Sequence, residues 1–426
     1  MIRKLLKTDI FKNVAILVTG TALAQIILIS FQLILRRVYS VEEFGVFGLY
    51  MSILGVWVIV STMRYELAVV LPEKDEDAEN LAVGTGILAG FFCIICLILI
   101  ITCKSLIIKY LEFPESHYYW LYFLPFSAFL FSSYQAINYY LIRKKRFRAS
   151  SMNRVARRVS EGIVMTATGN AGKKTGLVLG DLTGNFVNIL SGIYQAKRAG
   201  FSFRNVRFYS IRQILKRYLN FPKFQAIPAI LNTVSMLLPI VFVNKFFGEE
   251  TLGYFDFSRQ LLLLPLALIS LSVSQALLKE VSDRKKNREN LTRYMLNLSL
   301  VLAVIIVPVI VVIVLWAPWL FSLVFSDVWR TSGDYSRILV FAFSIQFIVS
   351  PVSIMLTALE KLKIAALWQV LYFIAIAALY FLKGSDIEEF IIFYTIINLV
   401  AYFVYWLLII GVANNYDRKL SKTMDK

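Results

Sequence analysis

The chain has 426 residues, of which 58% are hydrophobic, 15% aromatic and only 17% charged, with a mean hydropathy of +0.68. Soluble domains carry about a quarter charged residues and a smaller apolar share, so this composition excludes an ordinary soluble protein and predicts a polytopic membrane protein. Lys and Arg number 45 against 27 Asp and Glu, a net charge of +18. The cations are scattered between apolar runs that lack the polar surface of a nucleic-acid domain, so no nucleic acid is expected as a partner.

The first apolar run, 13–35, follows Arg3, Lys4, Lys7 and Lys12 and contains Ala22-Leu23-Ala24, which imitates a signal-peptide cleavage site. The run continues to Leu35, long enough to span a bilayer, and its small residues fall mid-span, so it is read as an uncleaved first transmembrane helix. Gln25 and Gln32, seven apart, share one face of it, either as interhelical hydrogen-bond partners or as ligands. The second run, 44–71, is interrupted by Arg64-Tyr65-Glu66 close enough to the inner surface for the arginine to snorkel. The third, 80–103, holds all three cysteines, Cys93, Cys96 and Cys103. Their spacing puts them on one helical stripe without polar partners, which points to packing instead of redox or metal chemistry. The lone His117 precedes the fourth run, 118–142, and is read as interfacial because no second His or nearby Cys accompanies it.

The fifth run, 152–170, carries Arg154, Arg157, Arg158 and Glu161 at i, i+3, i+4 and i+7, one helical face with three cations and one acid. A charge in hydrocarbon is costly enough that intramembrane ionisable groups are functional candidates by default. The competing reading is that these arginines snorkel to lipid phosphates at the cytoplasmic end of the helix. The sixth run, 175–196, offers Asp181, Gly184, Asn185 and Asn188 as a polar face, with close helix packing through Gly180 and Gly184 as an alternative that is compatible with it. A basic stretch, 197–220, then leads to the seventh run, 221–244, where Gln225, Pro228, Asn232, Ser235 and Pro239 share a face. Proline removes a backbone donor, so Pro228 and Pro239 are the predicted hinges. The eighth run, 253–278, opens with Asp256, Arg259 and Gln260, an internally pairing group that leaves Arg259 either facing a cavity or at the interface. Four further runs follow at 294–316, 335–358, 364–382 and 387–411, and the chain closes with a polar tail, 412–426.

These twelve runs are too long to be barrel strands, so the predicted fold is an all-α polytopic bundle. With a cytoplasmic N-terminus, 33 Lys and Arg lie in or beside the inner loops and 10 in the outer ones, the positive-inside asymmetry. The same basic loops predict contact with anionic lipid headgroups. Glu42-Glu43-Phe44-Gly45-Val46-Phe47 and Glu249-Glu250-Thr251-Leu252-Gly253-Tyr254-Phe255 are offset by 208 residues, which also brings the first run onto the seventh. The expected organisation is therefore a cytoplasmic segment 1–12, a six-helix lobe 13–196, the linker 197–220, a second six-helix lobe 221–411 and the tail 412–426. An even number of spans per lobe makes the repeats parallel, and such pairs normally enclose a central cavity. No phosphate-binding loop, metal-spaced His or Cys group or large extramembrane domain occurs in the sequence, so no cofactor, metal or enzymatic activity is expected.

Several of these segments carry a family likeness. Leu35-Arg36-Arg37-Val38-Tyr39-Ser40 leading to Glu42-Glu43-Phe44-Gly45, then Met63-Arg64-Tyr65-Glu66 and Leu71-Pro72, resembles the opening of the polysaccharide biosynthesis flippases. Arg143-Lys144-Lys145-Arg146-Phe147, Tyr218-Leu219-Asn220-Phe221-Pro222, Leu252-Gly253-Tyr254-Phe255, Arg259-Gln260-Leu261-Leu262, Pro265-Leu266 and Phe325-Ser326-Asp327-Val328-Trp329 continue the likeness along the chain. Ser326 replaces a family-typical glycine, a departure expected to affect only the turn. The resemblance implies membership of the multidrug/oligosaccharidyl-lipid/polysaccharide exporter superfamily, which also holds drug exporters and peptidoglycan lipid flippases, with two six-helix lobes and a V-shaped cavity. It implies a bacterial cytoplasmic-membrane flippase for undecaprenyl-diphosphate-linked oligosaccharide, supplying O-antigen, capsule or exopolysaccharide assembly. A polysaccharide polymerase and a chain-length regulator are the expected protein partners of a monomer.

On that reading Arg154, Arg157, Arg158 and Arg259, with Arg64, would hold the diphosphate. Gln225, Asn232, Asn185 and Asn188 would accommodate glycan, and Pro228 and Pro239 would bend. Glu66, Glu161, Asp181 and Asp256 are the carboxylates available to couple protons or sodium. The competing functions are a cation-coupled drug exporter, against which the arginine stripe argues, and a membrane polysaccharide polymerase or ligase, which would need a long external loop where this chain has its longest loops inside.

Overall fold

The computed structural model describes residues 9–382, 384 and 386–424, with the side chains of 9–22, of several positions between 264 and 282, and of 422–424 excepted. Arg3, Lys4 and Lys7 lie outside the described residues, as do the side chains of Lys12, Ala22, Pro265, Leu266 and Lys279. The chain divides into two compact units, 1–237 and 238–426. The described residues form an all-α membrane fold, and eight of its helices are long and apolar enough to cross a bilayer.

The first unit contains α1 (Asp9–Val38), α2 (Val41–Thr62), α3 (Asp75–Thr102), α4 (Lys104–Leu111), α5 (Leu124–Arg143), α6 (Phe147–Asn170), α7 (Gly176–Arg198) and α8 (Phe208–Arg217). The start of α2 is fixed by a capping box: Ser40 Oγ accepts from the Glu43 amide at 3.3 Å while Glu43 Oε2 accepts from the Ser40 amide at 3.0 Å. Glu43 of the repeated acidic motif is therefore a helix start signal. Helix α6 is too polar along its length to cross lipid unaided. It is covered by α1 on one side and α7 on the other, which removes its charged face from hydrocarbon. The approach of α7 depends on glycine: a Cβ on Gly180 would lie 2.3 Å from Met165 Cγ and 2.9 Å from the Glu161 carbonyl, and one on Gly184 would lie 3.0 Å from Glu161 Cβ. The small-residue packing read from the sequence and the polar face of the same helix are thus both present.

Helix α2 stops at Thr62, short of the predicted end of the second run at 71. Met63 and Arg64 take left-handed conformations (φ 48° and 64°), and a 3₁₀ turn, Tyr65–Val70, follows. Apolar residues resume at Leu67 after Arg64-Tyr65-Glu66, which is why hydropathy extended the run across the break.

A π-helical turn, Pro222–Ala226, leads into α9 (Ile227–Asn287), which holds most of the seventh predicted run and all of the eighth. The wide turn sits immediately before Pro228, where the proline ring would otherwise meet the carbonyl four residues back. Pro239 lies in continuous helix, and the break inside α9 is at Gly248, with φ 86° and ψ 175°, a conformation open to glycine. The second unit continues with α10 (Thr292–Val324), α11 (Arg330–Val352), α12 (Ile354–Ala358), α13 (Leu362–Ala377) and α14 (Ile387–Met424). Its core is aromatic. Phe257 makes edge contacts with Phe321 at 5.4 Å, Phe325 at 4.8 Å and Trp329 at 4.9 Å, closing α9 on α10 and the outer turn.

Candidate substrate centre

The arginines of α6 do not act as one stripe. Arg157 reaches α7, where its Nη2 lies 3.3 Å from Asp181 Oδ1, and its guanidinium sits 4.8 Å from the centre of the Phe131 ring on α5. Arg158, one residue on and about 100° further round the helix, pairs with Glu161 at 2.8 Å. That second pair borders a cavity of about 20 Å³ walled by α1, α2, α6 and α7, with Phe31, Gln32 and Phe44 among its lining. Such a volume suits a single water-sized group.

Asp181 is fully buried, with 0% of its side chain exposed. Its Oδ2 accepts from Ser127 Oγ at 2.9 Å and Asn185 Nδ2 at 3.0 Å, and Tyr50 donates to Ser127 Oγ at 3.0 Å. Four helices, α2, α5, α6 and α7, therefore converge on one carboxylate. A charge at this depth is tolerable because ion pair and hydrogen bonds together satisfy it. Arg157 Nε, Asn185 Oδ1 and Asn188 Oδ1 have no hydrogen-bond partner among the described residues. The centre thus offers one charged donor and one amide acceptor beyond its internal pairs, and Asn188 carries a second buried amide acceptor further along α7. Of the two amides chosen from helical spacing, Asn185 bonds to Asp181, and Asn188 is buried three residues further along α7. Tyr50, Ser127 and Phe131 belong to it as well, and no spacing pattern in their own segments marks them.

Arg64 and Glu66 pair with each other at 3.5 Å, Glu66 being buried, and they belong to a different feature. Tyr65 donates to the Leu215 carbonyl of α8 at 3.0 Å. Arg143 donates to the carbonyls of Val70 at 3.3 Å, Glu73 at 3.0 Å and Pro72, and to Asp75 at 3.2 Å. Lys144 Nζ contacts the same carboxylate at 2.5 Å. The Lys144 hydrogen bond, with help from Arg143, holds Asp75 below the usual carboxylate range. Glu79 Oε1 accepts from the Ser202 amide at 3.0 Å and Glu79 Oε2 from Asn205 Nδ2 at 3.2 Å, while Asn80 Oδ1 accepts from the Arg207 amide at 3.0 Å. The Arg-Tyr-Glu, Leu-Pro and Arg-Lys elements of the sequence resemblance therefore form one corner that fastens residues 201–217 to α3.

In the second unit Asp256 accepts from Gln260 Nε2 at 2.6 Å, the internal pairing expected from their spacing. Arg259 is buried, its guanidinium 5.5 Å from the centre of the Phe255 ring. A cluster that the sequence reading did not single out lies nearby on α11, α13 and α14: Asn398 Oδ1 accepts from Gln346 at 2.9 Å and Tyr372 at 2.9 Å, and Trp368 stacks on Tyr405 at 3.9 Å. Gln225 and Asn232 of the first unit are exposed side chains. Cys93 and Cys96 are buried free thiols. His117 is buried against Trp120 at 4.9 Å with Nδ1 2.8 Å from Ser116 Oγ. Burial first, and then Lys174, lower its pKa.

Comparison with known proteins gives this geometry a family. The chain has 20% identity over 154 residues with the teichuronic acid biosynthesis protein TuaB of Bacillus subtilis (strain 168), a match covering 36% of this chain and 32% of that relative, about a third of each. Its fold is similar to an inward-facing multidrug resistance MATE family transporter of the MOP superfamily (TM-score 0.75, 14% identity, 93% of this chain and 95% of the other). It is also similar to the lipid II flippase MurJ in an inward closed conformation (TM-score 0.73, 13% identity, 95% and 89%). A MOP superfamily transporter from Pyrococcus furiosus, described by a reverse polarity of its binding pocket, shares the fold as well (TM-score 0.59, 15% identity, 95% and 95%). The family model for polysaccharide biosynthesis proteins matches residues 34–334, most of both units, and the chain belongs to that family.

Proposed function

We propose that the chain is a flippase that moves undecaprenyl-diphosphate-linked oligosaccharide from the cytoplasmic to the outer leaflet of a bacterial cytoplasmic membrane, with both termini cytoplasmic. The observation that carries this reading is the buried centre around Arg157 in a member of a polysaccharide biosynthesis family. A diphosphate linker needs desolvated cations, and a glycan needs amide partners such as Asn185 and Asn188. The names of its relatives point the same way, toward teichuronic acid biosynthesis and lipid II flipping. Binding to the diphosphate uses Arg157 once it is released from Asp181. Protonating Asp181 removes the opposing charge and leaves a buried cation that an anionic cargo stabilises, so loading and proton uptake are linked. Glu161 holds Arg158 in the same manner. Translocation proceeds by alternating access and makes or breaks no covalent bond.

The test is reconstitution in liposomes with fluorescent lipid-linked oligosaccharide and a reporter of leaflet exposure. Label should become accessible across the bilayer in a protein-dependent way. Movement of soluble cationic dyes alone would identify a drug exporter with the MATE fold, and lengthening of the glycan would identify a polymerase.

A further inference from the structure

An apolar cavity of the first unit lies away from the arginine centre. It has a volume of about 340 Å³ and is walled by α3, α5, α7 and the segment after α7, within the range of roughly 300–1,000 Å³ typical of ligand pockets. Gly86 and Gly90 are among its lining residues. A Cβ on Gly90 would make only an ordinary 3.5 Å contact with Phe129, and one on Gly86 would lie 3.9 Å from Ser133 Oγ. The lining is otherwise Phe129, Ile193 and Phe203 with their neighbours, nearly all carbon. Phe129 and Phe203 are themselves exposed, as are Phe91, Leu190 and Tyr194 on the same helices, so the cavity is a groove in the apolar outer surface of the unit. Within it, Ser133 is 8% exposed and its buried hydroxyl has no hydrogen-bond partner among the described residues.

One end of the groove is charged. Lys197 Nζ lies 5.9 Å from the centre of the Phe203 ring, and Arg198 Cζ lies 4.7 Å from that of Tyr194. Both cations are exposed at the C-terminal end of α7. An apolar slot with Lys197 against its lining ring Phe203, and Arg198 next to it in the chain, matches an amphiphile with an anionic head. Free inorganic phosphate would leave the slot empty, and an uncharged lipid would leave the cations without a partner.

We infer that this groove binds an anionic membrane phospholipid, one acyl chain in the slot and its phosphate between Lys197 and Arg198. The occupant is distinct from the transported cargo: Lys197 is sixteen residues beyond Asp181 on one continuous helix, about 24 Å at 1.5 Å per residue. A single diphosphate cannot occupy both ends. The groove therefore reads the composition of the surrounding leaflet while leaving the transport centre free.

The inference is tested by native mass spectrometry of the full-length protein in detergent, titrated with phosphatidylglycerol and, separately, phosphatidylcholine of the same chains. Each of the two cations should contribute about fivefold, so phosphatidylglycerol should be retained about thirtyfold more strongly. Lys197→Gln with Arg198→Gln should bring the two lipids to parity. Gly90→Leu should reduce retention of both, whereas Gly90→Ala, which the geometry admits, should behave as the native chain and show that the unit still folds. Arg157→Met should leave retention unchanged. Equal retention of the two lipids by the native chain, or native retention by Gly90→Leu, overturns the site. Preferential retention of a polyprenyl phosphate over phosphatidylglycerol overturns the choice of occupant.

Discussion

The Arg157 and Asp181 pair permits a prediction in which stability and transport separate. Arg157→Met removes the cation but leaves Asp181, fully buried, with only Ser127 and Asn185 as partners. Breaking a buried pair on one side typically costs about 3–5 kcal/mol. Two surviving hydrogen bonds to the carboxylate, each worth about 1.5–3 kcal/mol, put the expected loss at the lower end, about 3 kcal/mol. For a unit of this size that corresponds to a midpoint lowered by about 6–12 °C, read by tryptophan fluorescence during heating in detergent. The double variant Arg157→Met with Asp181→Leu carries no uncompensated charge, and its midpoint should return to within a few degrees of the native value. Leaflet exposure of lipid-linked oligosaccharide should be lost in both. A single variant as stable as the native chain would show that the pair is solvated, and a double variant that still translocates substrate would remove Arg157 from the binding machinery.

Three further outcomes follow from local geometry. Ser326 has φ 147° and ψ 167°, a region open essentially to glycine whose occupation by other residues costs about 1–3 kcal/mol. Ser326→Gly should therefore stabilise the chain against heating even after a glycine entropy cost of about 0.5–1 kcal/mol, and a lowered midpoint would contradict the strain. His117 is buried and its pKa is lowered, so the unfolded chain binds the proton more readily. Stability should be at its full value above about pH 6.5 and fall as the pH drops toward the folded value; His117→Asn should flatten that dependence, and an unchanged slope would assign it elsewhere. Gly180→Ala places a methyl 2.3 Å from Met165 Cγ and 2.9 Å from the Glu161 carbonyl. Separating α6 from α7 in this way should cost about 1–3 kcal/mol, and a neutral effect in thermal unfolding would mean the helices can part freely.

Hydropathy carried the reading of the helices because lipid leaves the backbone few other choices: every predicted run overlaps an observed helix, although the runs 118–142, 335–358 and 364–382 also take in 3₁₀ turns or a helix break. It failed where one residue decides. Nothing in Met63-Arg64 announces two successive left-handed residues, and nothing around Gly248 announces the non-helical residue inside α9. Periodicity placed Arg157 and Arg158 on one side of α6, about 100° apart. Their divergence is decided by neighbours on other helices, Asp181 and Phe131 for one and the small cavity for the other. That information lies in packing, not in spacing along the chain. The aromatic cluster around Asn398 escaped notice for the opposite reason, since tryptophan and tyrosine in apolar helices are too common to mark a site.

The fastening of residues 201–217 changes what that stretch is. Composition marks 197–220 as slack rope between two halves, but Glu79, Asn80 and Tyr65 moor it at several points and Ile211 and Ile214 bury one side of α8. A moored stretch has almost no contour length to give. Its effective tether is the handful of residues after Tyr218, so a Gly/Ser replacement of equal length would not be a neutral exchange: it would turn a fixed bracket into a loose cord.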